Sequence, residues 1–166
     1  FPIPSSVTSI GKYAFKETML TSVTIPAGLG SIPQHTFGII RTLAEVIFEA
    51  GSVCTSIGSD AFTNCSSTEF TSITIPASVT SIGDRAFQGA TNLATVTFEN
   101  FENSSLLTTI GANAFNPSGL TTVYAQQSLI SSMSWTNAIG GKTGVTFVVV
   151  AISPICFPAR TPILTD

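Results

Sequence analysis

Charge is what this sequence has least of. Six basic and nine acidic residues make only 9% of its 166 positions charged, against about a quarter in ordinary globular chains. With a net charge of −3 and no run of Lys or Arg, it lacks the basic footprint that a nucleic-acid partner needs. Long apolar runs are missing as well. The longest, from Val145 to Ile152, is broken by Thr146 and is too short to cross a bilayer, so no membrane insertion is expected. Cysteine is scarce: Cys54, Cys65 and Cys156 cannot all pair, and their spacing fits neither a zinc site nor a disulfide framework. Nor is there an opening Met. Phe1-Pro2-Ile3-Pro4 reads as the end of a repeat, which suggests a fragment of a longer protein.

What fills the polar role is hydroxyl: 45 residues are Ser or Thr. Combined with 43% hydrophobic residues, this points to extracellular β structure in a single domain rather than to a cytosolic enzyme. Two sequons, Asn64-Cys65-Ser66 and Asn103-Ser104-Ser105, matter only in a host that glycosylates secreted chains.

Self-similarity organises the whole chain. An Ile is followed five residues later by Phe at Ile10/Phe15, Ile32/Phe37, Ile57/Phe62, Ile82/Phe87 and Ile110/Phe115, with the Phe positions 22, 25, 25 and 28 residues apart. Between them runs a second signature, apolar-x-x-apolar-x-apolar. It reads Leu20/Val23/Ile25, Leu43/Val46/Phe48, Phe70/Ile73/Ile75, Leu93/Val96/Phe98 and Leu120/Val123/Ala125. A period of 50 is layered on top, for residues 21–49 align without gaps to 71–99 with 14 identities in 29.

These spacings dictate local structure. The last three residues of each second signature alternate in, out, in, which is the period of a strand. Val, Ile, Thr and Phe suit a pleated surface, and Pro26 and Pro76 end two of the strands by removing a ladder donor. Ser78 to Gly83 reads as a second short extended stretch with a turn at Gly83. Asp84 to Gly89 reads as one short helical turn with Phe87 pointing inward. A unit this small buries its apolar residues only against its neighbours, so the units stack. The five Phe side chains are expected to form one buried ladder with a step of roughly 5 Å, leaving Phe1 and Phe101 outside it.

The run Thr-Ser-Ile-Thr-Ile-Pro-Ala-Ser-Val-Thr-Ser-Ile-Gly-Asp-Arg-Ala-Phe, residues 71–87, closely resembles the BspA-like leucine-rich repeat. The resemblance covers residues 3–125. It implies a right-handed, β-rich leucine-rich-repeat solenoid of five coils with short helical turns, carried on surface proteins that mediate adhesion or protein binding. The second repeat departs most, with Pro33 for the Gly and Thr36 for the Ala. Beyond residue 125 the period stops. Leu129, Ile130 and Met133 have helical spacing, Gly140 to Gly144 is a loop, and Val145 to Ile152 reads as a strand. Residues 126–153 are therefore expected to cap the open core of repeats 1–125.

Residues 154–166 resemble the opening of a Hint domain, the self-cleaving fold of inteins and hedgehog proteins. The resemblance would make Cys156 a nucleophile that attacks the carbonyl of Ile155, converting amide to thioester. Thr161, Ile163 and Leu164 match the motif, Arg160 stands where the family has Gly, and the remaining strands and His of a Hint domain are absent. Cys156 is thus catalytic only if a complete Hint domain follows, and the repeats would then be the cargo of a self-processing precursor.

Other candidates have plainer readings. Cys54 aligns with the core positions Val7 and Val79, and Cys65 follows Phe62 by three, so both read as small buried hydrophobes that do not bridge. His35 aligns with Tyr13 and Arg85 on a turn, a solvated position without a triad or metal partner. Gly140-Gly141-Lys142-Thr143 fails the phosphate-loop pattern because Thr136 occupies the place of its first Gly. Glu99, Glu102 and Asn103 sit in the longest inter-repeat loop, where a solvated loop explains them better than a calcium site does. No catalytic residue, metal or cofactor is expected. A ligand, protein or glycan, is expected on the outward strand positions: Ser22/Thr24, Glu45/Ile47, Ser72/Thr74, Thr95/Thr97 and Thr122/Tyr124. Ser and Thr are also simply good solvent-facing strand residues, so the hydroxyl strip by itself does not establish binding.

Overall fold

A computed structural model describes residues 1–99, 107–134 and 138–150. Two sets of strands wind through it. The longer set is β1 (Ser22–Ile25), β3 (Glu45–Phe48), β5 (Ser72–Ile75), β7 (Thr95–Phe98) and β9 (Thr122–Ala125). The shorter set is β2 (Ser31–Ile32), β4 (Ser56–Ile57), β6 (Ser81–Ile82) and β8 (Thr109–Ile110). All pairings within these sets are parallel and in repeat register, such as Ile73 beside Val96 and Ile57 beside Ile82. The chain is a β-solenoid of about five turns, as the periodicity demands.

The core is the set of ladders that the two signatures predict. Val23, Ile25, Val46, Ile73, Ile75, Val96, Phe98, Val123 and Ala125 are buried from the long strands, and Ile32, Ile57 and Ile82 from the short ones. Phe15, Phe37, Phe62, Phe87 and Phe115 stack face to face at centroid steps of 5.3, 5.3, 5.3 and 5.1 Å. Phe1 touches the end of this stack at 6.0 Å but tilts by 59°; Phe101 lies outside the described residues.

One local expectation changes. The segment read as a helical turn is a double turn in the first four coils, because each of these carries two left-handed positions that no helix tolerates. The first is Tyr13, His35, Asp60 or Arg85 (φ 63, 56, 58 and 56°), and the second is Glu17, Ile39, Asn64 or Gly89 (φ 60, 62, 55 and 74°). The reversals aim N–H groups along the solenoid axis, so that Phe62 donates to the Ala86 carbonyl and Asn64 to that of Gln88. Gly83 opens the expected turn, its carbonyl accepting from the Ala86 N–H, and it serves packing as well. A Cβ there would sit 2.8 Å from the Gly58 carbonyl carbon, so the glycine exists to let one coil's backbone rest on the next.

The end of the array holds α1 (Gln127–Ser132), which buries Leu129 and Ile130, and a hairpin of β10 (Ala138–Ile139) and β11 (Lys142–Thr143) turned at Gly140-Gly141. Then β12 (Thr146–Val149) pairs in parallel with β9, Phe147 beside Val123. The Phe115 N–H donates to the Gly140 carbonyl just as Phe87 donates to Ala114. A sixth rung therefore follows the fifth without its sequence signature. Residues 154–166, Cys156 among them, lie outside the described residues.

Candidate functional site

The outward positions of the long strands form the candidate surface. Register sets Ser22 beside Glu45 and Thr24 beside Ile47 on one sheet. On another it aligns Ser72, Thr95 and Thr122 in one row and Thr74, Thr97 and Tyr124 in the next. Because β12 continues this second sheet, Thr146 and Val148 extend the two rows. These two residues lie beyond the repeat signature, and only the strand reading of Val145 to Ile152 hinted at them. Ile47 is 42% exposed and Tyr124 37%, with Thr24 beside the first and Thr97 and Val148 beside the second. From β5 to β12 the outward rows hold no charged residue.

The strip is not continuous, contrary to the expectation of five stacked strands. β1 and β3 form one sheet, and β5, β7, β9 and β12 form another, although β3 and β5 lie side by side. The cause lies in one loop. Six residues separate Phe37 from Leu43 and Phe87 from Leu93, whereas eight separate Phe62 from Phe70. In the regular coils the N–H before the strand reaches the preceding coil: Ala44 to the Thr21 carbonyl, Ala94 to Thr71, Thr121 to Ala94. Thr71 is the exception, since its N–H turns back to the Glu69 carbonyl within the longer loop. Phe70 also brings a ring where Leu43 and Leu93 stand, and all three are fully buried.

The result is a groove of about 270 Å³ lined by Glu45, Val46, Ile47, Phe48, Ser72, Ile73, Thr74 and Glu99. Among the described residues, its rims carry backbone groups that the ladder leaves unpaired. Glu49 donates to Ile25, so by alternation Val46 and Phe48 turn their N–H and C=O toward β5. The bonds from Thr95 to Thr71 and from Glu99 to Ile75 leave Ser72 and Thr74 turned toward β3. The repeat-equivalent of Thr74 shows what is missing: Thr24 donates to Phe1 and accepts from Ile3 in the preceding segment. The repeat-equivalents Glu49 and Glu99 also diverge. Glu49 accepts the Ala27 N–H at 3.0 Å, while Glu99 lines the groove.

A polar spine on the double turns bridges the same junction. Asp60, only 4% exposed, accepts from Arg85 Nε at 2.9 Å and Nη2 at 3.1 Å. That paired geometry is the strong form of the guanidinium–carboxylate contact, and together with the charge of Asp60 it raises the Arg85 pKa further above its already high value. His35 is less solvated than its alignment suggested. Its Nε2 lies 3.5 Å from Asp60 and its ring stacks on Tyr13 at 5.0 Å. The 25-residue spacing of His35, Asp60 and Arg85 was the signal for this contact. His35 Nδ1 is buried and has no hydrogen-bond partner among the described residues.

Both described cysteines are buried and free. Burial pushes the Cys65 thiol up to about 12, and the Cys54 thiol is raised by the same cause. Both are buried as expected, Cys54 from its alignment with core positions and Cys65 from its place three residues after Phe62. Among the described residues no cluster of three metal-ligating side chains occurs, and no helix is long and apolar enough to cross a membrane. Glu102 and Asn103 lie outside the described residues.

Comparison with known proteins agrees with this architecture. The profile of the BspA type leucine-rich repeat region matches residues 1–71 and 55–138, in six copies. A leucine-rich repeat protein from Bacteroides ovatus shares 25% identity and a TM-score of 0.60, over 91% of this chain and 42% of its own. The pneumococcal vaccine antigen PcpA shares 24% identity and a TM-score of 0.57, over 74% of this chain and 39% of its own. The chain thus spans about two fifths of these structures. No curated protein matches it.

Proposed function

The chain belongs to the BspA-type leucine-rich repeat family, and from that premise we propose that it is a non-catalytic module that binds a protein or glycan at a cell surface or in the extracellular space. The observation that carries this reading is the outward strand face: uncharged from β5 to β12, hydroxyl-lined, and edged by the exposed Ile47 and Tyr124. Such a face has little field to steer a charged ligand. It offers hydroxyl hydrogen bonds and methyl contacts over rigid, evenly spaced rungs. The hydroxyl-rich, charge-poor composition supports the extracellular setting, and β12 supports treating residues 126–153 as the closing unit of the repeats.

The test uses a panel of immobilised matrix proteins and glycans, probed with the native chain and with the Thr74→Lys/Thr97→Lys double variant. Saturable binding to a panel member should disappear in the variant while the melting temperature falls by only a few degrees, since two surface changes that set like charges side by side cost about 1 kcal/mol together. Binding that survives both lysines would move the site off this face.

A further inference from the structure

We propose that the groove between β3 and β5 receives an arginine side chain from the protein partner, an assignment that rests on the strand face being the contact surface. Three features of the groove select this occupant. Its volume of about 270 Å³ far exceeds the roughly 10–15 Å³ that one water needs, so a side chain fits. Its rims present the carbonyls of Val46, Phe48, Ser72 and Thr74, which the interrupted ladder leaves without a strand partner. Both of its charged lining residues, Glu45 and Glu99, are exposed carboxylates.

A guanidinium is a planar fork of five donors with no acceptor, and it can bond carbonyls and carboxylates together. An ammonium lacks the fork, and a neutral amide lacks the charge that a carboxylate at either end of the groove favours. Ile47 lies on the same rim and is 42% exposed, which gives the aliphatic stem of the arginine an apolar contact. At the other long-strand junctions among the described residues the ladders are closed. The two extra residues between Phe62 and Phe70 are thereby a binding device and not slack in the repeat.

The experiment is an NMR titration of the ¹⁵N-labelled chain with acetyl-Gly-Arg-Gly-amide and with the same tripeptide carrying citrulline, the uncharged isostere. The arginine peptide should give saturable shifts centred on the amides of Val46, Phe48, Ser72 and Thr74. Citrulline should bind at least about tenfold more weakly, the loss expected for one charged hydrogen bond. Glu45→Gln/Glu99→Gln should weaken the arginine peptide by a similar factor and leave the spectrum elsewhere unchanged. Equal binding of the two peptides, or shifts that never saturate, would overturn the assignment. So would sedimentation showing a dimer of the native chain that Glu45→Gln/Glu99→Gln dissolves, because a second copy would then hold the groove. Deleting Ser66 and Ser67, which restores the six-residue spacing, should abolish peptide binding by closing the slot. If that deletion fails to fold, the Gln pair still decides. Loss of the peptide result alone removes the groove and leaves the strand face standing. A panel partner that survives Thr74→Lys/Thr97→Lys removes the face, whatever the peptide does.

Discussion

A phenylalanine in every coil is the residue on which this chain depends most. Phe62 and Phe87 are fully buried, each between two parallel rings about one strand spacing away. Truncating either to Ala opens a cavity between backbones that cannot close up, at a cost of about 3–5 kcal/mol measurable by denaturant unfolding. Phe1, which is 53% exposed, should tolerate the same change with a small loss. Ile39 offers the opposite case. It holds φ 62°, where the next two coils place Asn64 and Gly89, and a β-branched residue is strained there. Ile39→Asn should therefore stabilise the chain by about 1 kcal/mol. A destabilised variant would show that the packing of Ile39 outweighs its strain. The inward residues were legible from their spacing, whereas this strain was not, because the sequence shows the position but not its backbone angle.

Single elements here are too short to stand alone, and each owes its order to the rung beside it. Val148 shows the point at the C-terminal end. Thr146 donates to Thr121 and Val150 to Ala125, so Val148 turns its N–H toward β9 by the same alternation. Val148→Pro should raise hydrogen exchange in β12 and β9 roughly fivefold, as expected for a ladder bond of about 1 kcal/mol, and leave β1 unchanged. Equal loosening of β1 would contradict the one-dimensional coupling of the coils. The strand was readable from Val145 to Ile152, but its partner was not. Gly140 occupies the place of a ladder residue without resembling one. Likewise the outward residues from Ser22 to Tyr124 followed from strand alternation, while the break between them hung on two added loop residues. Their effect appears only when Thr71 is seen bonding within its own loop.

At the scale of the molecule, the coils form a series joined by bonds that run along its axis. The junction between the β3–β4 and β5–β6 coils lacks one of its two ladders. It keeps β4 beside β6, the turn bonds from Phe62 and Asn64, and the paired contact of Arg85 with Asp60. Links in series carry the same tension, so the rod yields where the fewest bonds share the load. Stretched across its interior coils, the chain should part between Phe48 and Ser72 at lower force than at the junctions on either side, β1–β3 and β5–β7, where both ladders are present, and an optical-trap record should resolve that rupture. With Asp60→Asn the rupture between Phe48 and Ser72 should move to a lower force still. A partner seated across the slot, as proposed above, would reinforce this junction, and pulling hard enough to open the slot would release it.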